Sequence, residues 1–224
     1  LFAAIIQIIN FLILIFMKIK KPLQSPKINR PLGDVLLQKN LIIAILAAAV
    51  GYSLMSFIMT ATPLQIVNVC KLGDSASATV IQWHVIAMFA PSFFTGTIIN
   101  SLGNRKVMMI GLFLYAFSIS FTIIGQTIEH FWIALFLCGL GWNFLYVGGS
   151  DIIAKSALPE ERAKVQGVTD FIIFVFVATG SFLAGALHST LGWEIMMFYT
   201  SIPIFILFMS IIIIKPDGGI KARY

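Results

Sequence analysis

Charge is what this sequence has least of. Charged side chains make up 11% of its 224 residues, fifteen basic and nine acidic. A soluble domain clothes its surface with roughly 25% charge, so an ordinary soluble fold is excluded. Cysteine is nearly missing too. Cys70 and Cys138 stand alone, one at the outer end of the second apolar run and one within the fifth, which excludes a disulfide scaffold. No cluster with metal-ligand spacing exists, so no metal site is expected. His-Glu-x-x-His and Gly-x-Ser-x-Gly are both absent, which removes the usual zinc-hydrolase and serine-hydrolase constellations. No phosphate-binding loop occurs, so ATP-driven work by this chain is excluded. An enzyme is not expected, and neither is a cofactor. Strict apolar–polar alternation is missing as well, which argues against a membrane β-barrel.

Long apolar runs are what the sequence has instead. Residues 1–16, 41–64, 79–99, 107–126, 131–150, 168–187 and 195–214 contain no Lys or Arg. Each approaches the ~20 residues that cross a ~30 Å hydrocarbon layer, the first being short. Lipid offers the backbone no partners, so each run must be α-helical. The expected fold class is an all-α integral membrane protein in contact with the lipid bilayer.

The net charge of +6 could suggest nucleic acid, but the placement of the cations argues otherwise. Lys18, Lys20, Lys21, Lys27, Arg30 and Lys39 lie between the first two runs. Arg105 and Lys106 lie between the third and fourth, and Lys155, Arg162 and Lys164 flank the fifth-to-sixth connection. Lys215, Lys221 and Arg223 follow the last run, and only Lys71 falls on the other side. By the positive-inside rule the crowded side is cytoplasmic, with the Leu1 end outside and the Tyr224 end inside.

The connection 17–40 is the one long hydrophilic stretch, with three prolines and six cations. It reads as a cytoplasmic linker whose segment "GDVLLQ" lies on the lipid surface as a short amphipathic piece. The run 1–16 lacks the basic leader and small-residue cleavage site of a signal peptide, and it opens on Leu. The expectation is therefore a chain cut from a longer coding sequence. In that division, 1–17 is the last helix of a missing N-terminal half and 18–40 is the linker. A six-helix domain fills 41–214, and 215–224 is a cytoplasmic tail. Gly139, Gly141, Gly148, Gly149, Gly180 and Gly185 are expected to let helices approach closely, and Pro63, Pro91 and Pro203 to kink them.

One short turn carries more than topology. In "GTIINSLGNRK", apolar sequence stops at Gly103, and Arg105 and Lys106 follow before the next run resumes at once. The spacing Gly96, Asn100, Gly103, Arg105, Lys106 resembles the short cytoplasmic signature of the major facilitator superfamily, with Asn100 where that family usually has Asp. "ALPEERAKVQG" (157–167) resembles its tenth-to-eleventh helix turn. "GSFLAGALHSTLGWEIMMF" (180–198) resembles its eleventh-to-twelfth turn, and "GLGWNFLYVGGSD" is similar to bacterial permeases of the same superfamily. The resemblance implies that the seven runs are helices six to twelve of a secondary transporter working by alternating access. It also implies residence in the bacterial cytoplasmic membrane, a small-molecule substrate, a co-transported ion and a missing N-terminal half as partners.

Candidate site residues follow from both readings. Arg105 and Lys106 anchor the turn near anionic head groups; a sharper role is a cytoplasmic gate in which they meet acids on the neighbouring turn. Asp151 and Asp170 are the acids at that depth. Asp151 has Lys155 four residues on, whereas Asp170 is read as having no such local partner, and an ionisable group inside a span is a functional candidate. For a pocket, Gly139, Asn143, Tyr146 and Ser150 share one helical face, with Trp142 beside it. Ser53, Ser56 and Thr60 share another, as do His84, Met88, Pro91 and Thr95. Trp142, Asn143, Tyr146, Thr60 and Thr95 are the expected substrate-pocket residues, and His84 the candidate for proton coupling. Interhelical hydrogen bonding is the plainer use of the same hydroxyls. A complete seven-helix receptor or sensor is the alternative. Against it, no Asp-Arg-Tyr ends the third run, no Asn-Pro-x-x-Tyr occurs in the seventh, and the seventh lacks a retinal-binding Lys.

Overall fold

The computed structural model describes residues 2–17 and 30–214. Lys18, Lys20, Lys21 and Lys27 of the linker and the tail 215–224 lie outside the described residues. The elements are α1 (Phe2–Phe16), α2 (Leu32–Leu36), α3 (Lys39–Pro63), which continues as a π-helical stretch Leu64–Val69, and α4 (Asp74–Phe89). There follow α5 (Ser92–Leu102), α6 (Asn104–Ile124), α7 (Ile128–Ser156), α8 (Arg162–Leu191) and α9 (Trp193–Ile213). The described residues contain no strand, as an all-α membrane protein requires.

Five of these helices are individually long and apolar enough to cross a membrane, counting Lys39–Val69 as one. α4 and α5 reach that length and apolarity only together, as a pair bent by 44°. The third apolar run reads as one helix in sequence and is two in space. Pro91 is the reason: it has no N–H to donate, and its ring crowds the carbonyl of Ala87 one turn back. The 15 residues of α1 reach about 22 Å, short of the ~30 Å layer. Ile5, Ile8, Ile9 and the residues from Phe11 to Phe16 are exposed, Phe16 at 81%.

The hub of the bundle is α7, which packs on α3, α4 and α6. Its small residues make that possible. A methyl group on Gly139 would stand 2.7 Å from the His84 carbonyl of α4, and one on Gly149 would stand 2.7 Å from the Ala44 carbonyl of α3. Backbones this close gain dispersion and leave no room for a Cβ. Gly141 and Gly148 do the same against α6, and Gly180 of α8 against Ser53 of α3. Gly185 departs from expectation, since nothing lies within 4 Å of the space its Cβ would occupy.

Polar side chains then stitch helices to neighbouring backbones, where a partner is worth keeping because lipid supplies none. The Tyr115 hydroxyl of α6 donates to the Gly51 carbonyl of α3 at 2.6 Å. Ser118 donates to the Ala134 carbonyl of α7 at 2.7 Å, and the Trp193 indole of α9 to the Thr122 carbonyl of α6 at 2.9 Å. Ser53 donates to the Phe176 carbonyl and Ser56 shares a hydrogen with Ser181, so that stripe of α3 binds α8.

The "GDVLLQ" segment corrects its expectation. It does form a short helix, α2, but Val35 is buried against protein, among Leu41, Ala44, Ile153, Ala157 and Val165. Arg30 secures the approach to it with a bidentate bond to Glu161 in the α7–α8 turn, Nη2 to Oε2 at 2.8 Å and Nε to Oε1 at 3.2 Å. The last third of the linker therefore belongs to the bundle.

Candidate functional site

Four helices send aromatic rings to one place. Trp142 and Tyr146, one turn apart on α7, stack in parallel at 5.2 Å with an 8° interplanar angle. Tyr52 of α3 meets both edge-on, at 5.3 Å from each. Phe89 of α4 meets Trp142 at 5.7 Å and 73°, and Phe174 of α8 tilts onto Tyr52 at 5.8 Å. Edge-to-face and offset arrangements put positive ring edges against negative faces, which favours this geometry over random packing. Phe89 and Phe174 are more than half exposed, while Trp142 is 5% exposed. The Trp142 indole N–H is buried and finds no acceptor among the described residues. An unmet donor of this kind costs about 1–3 kcal/mol. Asp170 on α8 lies within electrostatic reach of Tyr146.

Asn143, expected in the pocket, sits next to Trp142 and faces the other way. It is fully buried, with every amide position committed. Its Nδ2 donates to the Met88 carbonyl at 2.8 Å and to Ser92 Oγ at 2.7 Å, and its Oδ1 accepts from Thr95 Oγ1 at 2.6 Å. All three partners flank Pro91. Asn143 therefore bridges the break between α4 and α5, and Thr95, another pocket candidate, is part of the same bridge. Gly139 makes the reach possible, because it lies one turn before Asn143 on the face that touches α4.

The remaining candidates are placed as follows. Thr60 is exposed on α3, apart from the aromatic cluster. His84 is fully buried at the α4–α7 contact, its Nδ1 at 2.7 Å from the Leu135 carbonyl. Gly96 and Asn100 are exposed on α5. Gly103 is the whole turn between α5 and α6, at φ 82° and ψ 149°, a backbone setting that glycine adopts without strain. Arg105 departs from the expected meeting with an acid. Its Nη2 donates instead to the carbonyls of Ile212 and Ile214 at 3.1 and 3.2 Å, closing the carbonyl end of α9. A cation there also suits the helix dipole. Lys106 is exposed.

The acid contact falls to a residue sequence reasoning passed over. Asn104 Nδ2 donates to Asp151 Oδ2 at 2.8 Å and to the Gly148 carbonyl at 2.9 Å. Asp151 also holds Lys155, as its spacing anticipated. Asp170 does have a local partner after all, Gln166 Nε2 at 2.7 Å, one turn earlier. Tyr52, Phe89 and Phe174 were also overlooked. Their signal was present but faint: Tyr52 abuts the Ser53 stripe, and Phe89 stands two residues before the helix-breaking proline. At the opposite end of the bundle, Gln65 bonds Gln126 at 2.7 Å and His188 at 2.9 Å beside a cavity of about 320 Å³ that includes Glu194.

A family model described as Major Facilitator Superfamily matches residues 41–222. The chain is 42% identical over 192 residues to the riboflavin transporter RfnT of Brucella anthropi, covering 85% of this chain and 48% of that protein. It is 35% identical over 153 residues to the uncharacterized MFS-type transporter YdeG of Bacillus subtilis, covering 66% of this chain and 35% of that protein. A second uncharacterized MFS-type transporter of Bacillus subtilis, YddS, is 30% identical over 150 residues, 66% of this chain and 34% of its own length. The chain thus spans half or less of the length of the curated relatives it matches.

Proposed function

The chain belongs to the major facilitator superfamily, and from that premise we propose that it forms the second half of a secondary transporter for riboflavin or a closely similar flat heteroaromatic solute. The observation that carries this reading is the aromatic cluster of Tyr52, Phe89, Trp142, Tyr146 and Phe174. A flavin ring is planar, stacks on aromatic faces, and carries carbonyl oxygens able to accept from the Trp142 N–H. Sites of this kind lie at the interface of two helical halves near the membrane midplane, and an aromatic cluster built from four helices gives such an interface one wall. Similarity to a riboflavin transporter over 85% of the chain supports the substrate class.

On this reading the two halves rock around the solute, opening to one side of the membrane and then the other. Arg105, Asn104 and Asp151 bind α6 to α7 and α9 at the basic end, so the bundle moves as a unit. The basic end faces the cytoplasm, by the distribution of Lys and Arg, and the membrane is the bacterial cytoplasmic one. The halves exchange energy with an ion or solute gradient, since nothing in the chain consumes ATP.

The test is uptake of labelled riboflavin into proteoliposomes containing the complete gene product. Wild-type protein should accumulate the label. Trp142→Phe keeps a ring but removes the donor, and should raise KM by about 2- to 10-fold. Trp142→Ala should raise it further. Absence of riboflavin uptake by the wild-type protein would overturn the substrate reading, and an unaltered KM in both variants would overturn the site.

A further inference from the structure

The Asn143 bridge does something that packing alone does not require. Pro91 cannot donate to the Ala87 carbonyl, and the turn that follows starts afresh, with Phe94 and Thr95 both donating to the Pro91 carbonyl at 2.8 Å. A break of this kind in lipid leaves carbonyls seeking partners and leaves the bend angle free to vary. Asn143 supplies the missing donor to Met88 on one side of the break. On the other side it holds Ser92 and Thr95. One side chain on α7 thus grips both arms of a 44° bend. The residue before it, Trp142, belongs to the aromatic cluster. Phe89, the last residue of α4 and next to the gripped Met88, rests on Trp142.

We propose that Asn143 is a positioning residue: it sets the bend of α4–α5, and through the Trp142–Phe89 contact it makes that bend and the aromatic wall move together. A solute held against Trp142 then biases the bend, and a change of bend moves Phe89. This rests on the aromatic cluster being the solute wall. It goes beyond that reading in assigning Asn143 to the transmission of occupancy rather than to the grip on solute.

The experiment places spin labels on either arm of the bend, at Thr79→Cys and Ser101→Cys, in the complete gene product with Cys70→Ser. Both positions are exposed in the bundle. Inter-label distances are recorded with and without riboflavin. In the parent protein a narrow distribution should shift on adding riboflavin. Asn143→Ala should broaden it and abolish the shift, lower the maximal uptake rate about tenfold, and change KM by less than the Trp142 variants do. Should Asn143→Ala misfold, Thr95→Val and Ser92→Ala each remove one arm of the bridge and should give a partial version of the same broadening. A distribution that stays narrow in all three variants would overturn the proposal, as would a raised KM with the shift intact. A parent protein blind to riboflavin would count against the solute reading alone, because the ligand-free comparison of parent and Asn143→Ala still tests the bridge.

Discussion

Helices α7 and α8 are close to equal in length, at 29 and 30 residues. Both are apolar enough to cross a membrane, yet 56% of the central window of α7 is buried against 17% for α8. The difference lies in what they carry, since their hydrophobicity is shared. The inward faces of α7 are lined by Gly139, Gly141, Gly148 and Gly149, so three helices close on it to backbone contact. α8 carries Phe171, Phe174, Phe176 and Phe182 on exposed sides and touches the bundle chiefly through α3. In a solvent as apolar as Leu, burying a large side chain gains little, and close approach of small residues gains more. Hydrophobicity therefore marks a span, whereas small residues mark where the span meets protein.

Substitutions can break or sharpen this contrast. The largest effect is expected on α7. Gly149→Val would drive a branched side chain into the Ala44 carbonyl, costing about 3 kcal/mol and producing early aggregation on size-exclusion chromatography after heating. Next comes Tyr115→Phe, which removes the 2.6 Å bond to Gly51 while keeping the ring. It should lower stability by about 1 kcal/mol in the same heating assay. Glu161→Gln loosens the Arg30 clamp at the foot of α8, and an ion pair at the surface is worth about 0.5–1 kcal/mol. Its effect should shrink in 1 M salt, whereas the Tyr115→Phe effect should not. Smallest is Phe182→Ala on the open face of α8, expected to change stability by less than about 0.5 kcal/mol. If Phe182→Ala instead falls as far as Gly149→Val, that face of α8 is packed on protein in the assembled molecule, and the contrast between the helices does not hold there.

The polar residues sort along the same line. Ser53 and Ser56 were legible as a helical stripe, and they bond α3 to α8 as plain interhelical hydrogen bonding predicts. Asn143 was legible as important and misplaced by one step. Its stripe, with Gly139 before it, is real, but the face it shares meets α4 rather than an open pocket. Trp142, its neighbour and an equal pocket candidate, joins the aromatic cluster instead. A rotation of 100° per residue separates the two roles, and a sequence gives the periodicity without saying which neighbour each face will meet.

Local chemistry in the chain determined the long apolar helices of the bundle and the break at Pro91, because lipid leaves a backbone no other way to satisfy itself and proline no donor to offer. Composition also determined which residues could approach closely. Only the tertiary structure decided that Arg105 closes α9 while Asn104 takes the acid, that Val35 docks on protein, and that five rings from four helices meet. Those outcomes depend on how the helices are rotated and offset against one another. Contacts between residues far apart in the chain, as for Arg30 and Glu161 at 131 positions, set that packing, and no local window of sequence contains both partners.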